Sequence, residues 1–133
     1  MLAACGVPPA AISSCEVVQK ADIYDGTSIL LDAVFVSDGI EHTYAITDKR
    51  CPTKATIDVI EDRSPKDGKN TLFWTLTEAY KRSTIEQRYG VRAVASGRFQ
   101  KIGGPFQSYA LTIDEAKIVG IVPAPKAELP PSD

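Results

Sequence analysis

The side chains of this chain best suited to chemistry are three thiols and one imidazole: Cys5, Cys15, Cys51 and His42. A zinc ion needs three or four such ligands converging, and Cys51 is the only sulfur near His42 in sequence. His42 follows a turn, so it reads as a surface strand residue rather than a metal ligand or a triad member. Asp22, Asp25 and Gly26 lack the spacing of a calcium loop and read as a helix end followed by a turn. No G-x-x-x-x-G-K-[ST], G-x-G-x-x-G or G-x-S-x-G occurs, so phosphate-cradling loops and a nucleophile elbow have no support. Glu61 and Asp62 are adjacent carboxylates, but with Arg63 behind them they read as a solvated strand end. The expectation is a protein that is not an enzyme, with no metal and no cofactor.

Leu2-Ala3-Ala4-Cys5 resembles the lipobox that ends a bacterial lipoprotein signal peptide. The resemblance implies that Cys5 is a lipid attachment point and that the domain is anchored at the periplasmic face of a bacterial membrane. Gly6-Val7-Pro8-Pro9-Ala10-Ala11 suits a tether between anchor and domain. An export signal carries an apolar stretch of roughly 7–15 residues before its cleavage site, so this reading needs a start upstream of Met1. The alternative is a coincidental match in a cytoplasmic protein. With Cys5 lipidated, Cys15 and Cys51 remain as a disulfide pair, which fits an oxidising compartment. Otherwise they are two separate buried thiols. A bridge between them would close a loop of about 36 residues and contribute roughly 3–4 kcal/mol in the chain-entropy model.

The 133 residues suffice for one domain with a core. Hydrophobic residues make up 44% and charged residues 24%, an ordinary globular balance, and no apolar run is long enough to span a bilayer. The net charge of −2 argues against a nucleic-acid partner, which normally demands a basic excess or patch.

The elements that must position these residues follow from periodicity. Ser13 and Ser14 can cap a short helix running to about Ala21, and Asp25-Gly26 makes a turn. Ile29, Leu31, Ala33 and Phe35 form the apolar face of a first strand, with Leu30, Asp32, Val34 and Val36 on the other. Ser37-Asp38-Gly39 is a hairpin turn. In the second strand Tyr44 and Ile46 point one way and Thr43, Ala45 and Thr47 the other. In the third, Ala55, Ile57 and Val59 alternate with Lys54, Thr56 and Asp58. After the polar break Ser64 to Asn70 the period becomes helical. Leu72, Leu76, Ala79, Tyr80 and Ser83 share a face, predicting a helix from about Leu72 to Gln87, with Phe73 and Trp74 packed against the sheet. Val91, Ala93, Ala95, Gly97 and Phe99 mark a fourth strand that bends at Gly97. Tyr109, Leu111 and Ile113 start a fifth, which resumes as Ala116 to Val122 after an irregularity at Asp114-Glu115.

Three strands, a helix and two strands is the order of an OB-fold, a five-stranded Greek-key β-barrel. The fold class is therefore mainly β with one or two helices. The expected boundaries are an N-terminal tether at 1–11, a single OB-fold-like domain at 12–122 and a disordered Pro-rich tail at 123–133. Phe35-Val36-Ser37-Asp38-Gly39, Tyr44 to Asp48 with Cys51-Pro52, and Ser96-Gly97-Arg98-Phe99 resemble small exported bacterial OB-fold proteins of unassigned function. The resemblance covers roughly Tyr24 to Val122 and implies a fold and a compartment, without chemistry. The chain departs from the pattern in Gly103-Gly104-Pro105-Phe106, where some members carry a histidine.

The function expected is that of a non-enzymatic envelope lipoprotein, a binding or assembly-support module with a partner in the envelope. The rival is a cytosolic module for single-stranded nucleic acid or a nucleotide. An OB-fold reads such ligands on its second and third strands with stacking aromatics and basic groups. The outward set expected here, Thr43, Ala45, Thr47, Lys54, Thr56 and Asp58, has no aromatic and one lysine. Arg92, Arg98 and Lys101 make one basic row on the fourth strand, the pattern of a solvated face. The residues expected to meet a ligand are Gly103, Gly104, Phe106 and Tyr109 around the last loop; the other role open to Phe106 and Tyr109 is closing the barrel end.

Overall fold

A computed structural model describes residues 10–37, 43–47, 50–53, 55–61, 71–102 and 108–124. The chain is mainly β, and the described residues form six strands in one sheet and three helices. β1 (Ile12–Ser13) leads into α1 (Ser14–Gln19) and α2 (Ala21–Tyr24), followed by β2 (Ser28–Ser37), β3 (Thr43–Ile46) and β4 (Thr56–Glu61). α3 (Thr71–Arg82), β5 (Arg88–Ile102) and β6 (Ser108–Ala124) complete the order.

Ser13 is the cap of α1. Its backbone is extended and its hydroxyl accepts the Glu16 N–H at 3.1 Å, which satisfies one of the unpaired donors of the first turn. The single helix expected to Ala21 is instead two, broken at Lys20, whose ψ of 36° leaves the helical range. The turn after α2 forms as its sequence requires. Gly26 has φ +79°, the left-handed region that favours glycine, and its N–H bonds to the Phe99 carbonyl at 2.8 Å.

The ladders run β2–β3–β4–β6–β5 and return to β2, because β2 also pairs with β5 over eight residues from Ser28↔Arg98 to Phe35↔Val91. All are antiparallel except β4–β6, and the short β1 lies parallel to β2 at Leu31 and Asp32. The parallel pair needs a long crossover, which α3 and β5 supply. The register of β5 against β6 slips between Ser96 and Gly97, so that Asp114 is the extra residue of a bulge. A Cβ at Gly97 would lie against the Thr112 carbonyl and 3.1 Å from the Ile113 Cα. The irregularity read at Asp114-Glu115 and the bend read at Gly97 are one feature, and β6 runs through it unbroken.

Alternation sets the core. Leu31 and Phe35 of β2, Val91 and Phe99 of β5, Ile57 of β4 and Leu111 of β6 are fully buried. Leu72, Leu76 and Ala79 of α3 join them at helical spacing, as do Val17 and Val18 of α1. Burial of each large side chain stabilises by roughly 1.5–3 kcal/mol before entropy is charged against it.

Four further expectations need correction. α3 ends at Arg82, five residues before Gln87. Ser83 donates to the Ala79 carbonyl and accepts from the Tyr89 N–H, and Thr84 and Gln87 bond each other through a tight turn into β5. Trp74 does not pack against the sheet. It is 57% exposed, one helical position past the half-buried Phe73 that it touches edge-on, and Tyr80 is exposed as well. The face assignment of β3 is inverted: Thr43, Ala45 and Thr47 are buried, with Ala45 in the main core. Tyr44 and Ile46 join Val34, Val36 and Ala124 in a second, smaller cluster. Finally, β6 continues to Ala124, with Pro123 opposite Tyr89, so the expected tail begins two residues too early at 123. Residues 125–133 lie outside the described residues.

Past Ile113, β6 has no second strand partner among the described residues. That edge carries the Asp114 bulge, Lys117, a second register slip at Val119, and Pro123. These are the devices that blunt an edge against strand addition.

Candidate functional site

Four chain segments meet at a cleft of about 890 Å³. It is lined by Ala33 and Val34 of β2 and by Ile46 at the end of β3. The start of α1, Ser13 to Cys15, and Thr47 with Cys51 line it too. Asp32, Arg92 and Arg50 bring charge to it. The volume lies in the range of small-molecule sites.

These segments are fastened in three ways. Cys15 and Cys51 form a disulfide, with Cα atoms 5.6 Å apart. The buried Ser14 hydroxyl donates to the Ile46 carbonyl at 2.8 Å, tying α1 to the end of β3. Thr47 is bonded to Ala55 twice, through backbone and hydroxyl, so the connection that carries Cys51 closes on itself.

The charged pair crosses from β2 to β5. Arg92 donates from Nε to Asp32 Oδ1 at 3.2 Å and from Nη2 to Oδ2 at 3.1 Å. Arg92 faces Val34, not Asp32, in the ladder, so the two are diagonal neighbours on the outer face. The bidentate bond raises the guanidinium's affinity for its proton, and the carboxylate's charge adds to this. Both side chains are partly exposed, at 53% and 34%, so the pair orients Arg92 more than it stabilises the fold.

Of the residues expected to do chemistry, Cys15 and Cys51 are brought together. Cys5, His42, Gly103, Gly104 and Phe106 lie outside the described residues. Tyr109 is buried and stacks on Phe99 with ring centroids 5.9 Å apart, so its ring packs in the core. The basic row on β5 is not a row of equivalent cations. Arg92 is engaged by Asp32, and Lys101 reaches back to Asp22 at 2.7 Å while its N–H bonds to Asp25 at 2.8 Å. Its ammonium is held charged by Asp22, first through the hydrogen bond and then through the charge. Among the described residues no group of three or more His, Cys, Asp or Glu gathers as a metal site.

Sequence reasoning did not find the cleft. Its parts come from residues 13–15, 32–34, 46, 47, 50, 51 and 92, and the ion pair spans 60 positions. One signal was available: Asp32 sits on the mixed face of the first strand and Arg92 on the outer face of the fourth, a pair of opposite charges whose meeting depends on the β2–β5 ladder. Searches with the chain against protein-family models, curated proteins and solved structures find no match.

Proposed function

We propose that this chain is an exported OB-fold module, held at the periplasmic face of a bacterial membrane by a lipid on Cys5, that acts by binding rather than catalysis. The observation that carries this reading is the Cys15–Cys51 bridge. It accounts for two of three cysteines as a pair suited to an oxidising compartment and leaves Cys5, within Leu2-Ala3-Ala4-Cys5, as the one outside it.

The OB-fold assignment is supported by the order of the long strands, by the helix between β4 and β5, and by the ladder sequence that returns to β2. The parallel β4–β6 pair and the bulge at Gly97 and Asp114 fit a small closed barrel. Binding is supported by the cleft, whose acid and base are tied to each other as an ion pair instead of standing ready for proton transfer.

Detergent phase partition tests the anchor. The gene is expressed in a bacterial host with its upstream DNA, as wild type and as Cys5→Ala. The wild type should enter the detergent phase and the variant the aqueous phase. Wild-type protein in the aqueous phase would remove the lipid from the account.

A further inference from the structure

A second groove, of about 530 Å³, shares no described residue with the cleft. It is lined by Ile23 and Tyr24 of α2, by Ile29 and Leu30 of β2, and by Ala10 and Ile12 at the start of the described chain. None of the described residues that line it is charged. Ile29 is buried, and Ile12, Tyr24 and Leu30 are half-buried. Ile23 stands 70% exposed. A lone exposed isoleucine is ordinary. This one continues an apolar lining, and a contiguous apolar surface marks a place where something docks.

The course of the N-terminal segment narrows what docks there. β1 lies parallel to β2, with Ile12 opposite Leu31. Followed back from Ile12, the chain therefore runs toward the start of β2, and Ala10 lines the groove. Cys5 is only five positions before Ala10. Five residues fully extended span at most about 18 Å. A lipid on Cys5 thus keeps the groove within about 18 Å of the bilayer surface, whatever path the tether takes. Contact across so short a tether is intramolecular, at an effective concentration that can reach millimolar. A patch too small to hold a free protein on a membrane is then large enough to set how an anchored one lies.

We infer that the groove between α2 and β2 is the face on which the domain rests on its own membrane, with Ile23 set into the boundary between headgroups and acyl chains. This rests on the lipid-anchor reading and deepens it by naming the surface that the anchor brings to the bilayer. The rival face is that of α3, where Trp74 is 57% exposed.

The test is tryptophan quenching in vesicles. The protein is made in a bacterial host from its gene with the DNA upstream of Met1. It is then reconstituted into phosphatidylcholine vesicles with or without bromine on the acyl chains, which quenches an indole only at close range. Wild type reports from α3 through Trp74, the only tryptophan of the chain. Ile23→Trp in a Trp74→Phe background reports from the groove, at a position exposed enough to take the larger ring without disturbing the core. The indole at position 23 should lose emission in brominated vesicles and shift to the blue on reconstitution, and Trp74 should lose much less. Flotation of the same samples reads the anchor separately. Protein that floats with the vesicles while the indole at position 23 stays unquenched would overturn the inference and leave the anchor in place. Quenching of Trp74 equal to or stronger than that at position 23 would overturn it in favour of the α3 face. Wild-type protein that does not float would remove the anchor and this inference together.

Discussion

Reducing the Cys15–Cys51 bridge is the perturbation whose size can be worked most directly. The bonded residues are 36 positions apart. With the loop-closure relation, a 36-residue loop removes about 13 cal/mol/K from the unfolded chain, or about 4 kcal/mol at 25 °C. For a domain whose whole stability is of order 5–15 kcal/mol, that is a large share. The bridge also holds α1, whose Val17 and Val18 are core residues, against the segment behind β3. The assay is equilibrium urea unfolding of the oxidised and reduced protein, with Cys15→Ala/Cys51→Ala as a reductant-free control. Reduction should lower the extrapolated unfolding free energy by about 3–4 kcal/mol, and the double variant should match it. At an m-value of about 2 kcal/mol/M the midpoint falls by nearly 2 M. The free energies, not the midpoints alone, must be compared, because an uncrosslinked chain exposes more surface and changes m. A loss below about 1 kcal/mol would refute the reasoning, since a bridge across a loop of this length would then constrain nothing.

Three further predictions rest on single contacts. Gly97→Ala should cost about 2–4 kcal/mol in thermal unfolding, as overpacking and backbone shifts do, because its Cβ would meet the Thr112 carbonyl; Gly120→Ala, with nothing within 4 Å, should stay near neutral, and equal effects would place the bulge wrongly. Ser13→Ala removes the cap of α1 and should cost about 1 kcal/mol, with Ser13→Asp retaining most of it. Tyr24 donates to Glu16 at 2.8 Å, and that bond, then burial, then the carboxylate's charge, raise the phenol's pKa. A pKa raised by folding contributes stability that is complete below the unfolded value near pH 10 and is lost as pH rises through the folded one. The stability gap between wild type and Tyr24→Phe should therefore close as pH rises above about 10, and a gap constant to pH 12 would contradict the assignment.

Where burial on one face was strong, the fold was legible in the sequence. Ile29 to Phe35 and Val91 to Phe99 alternate cleanly, and both strands pair over that length. Gly97 announced its bulge because glycine inside an alternating strand has few other uses. The second strand misled for a physical reason. Its larger residues, Tyr44 and Ile46, pack in an outer cluster with Ala124, while the small Thr43, Ala45 and Thr47 face inward. Apolar size was a poor guide there, because both faces are covered. α3 was drawn too long because the face read from Leu72 to Ser83 was carried on to Gln87; the Ser83 hydroxyl and the Thr84–Gln87 turn end it through contacts that periodicity does not encode. Of the candidate site, the disulfide was one of the two readings that cysteine arithmetic left open. The cleft did not, since it exists only where four distant segments converge, and Arg92 read alone is one more solvated cation.

The measurement that tests the central claim most directly is the intact mass, without reductant, of the protein made in a bacterial host from its gene with the DNA upstream of Met1. The account predicts a chain that begins at Cys5, carries a diacylglyceryl-sized increment and lacks two hydrogens for the Cys15–Cys51 bond. An unmodified chain with all three thiols reduced would contradict both the anchor and the oxidising compartment.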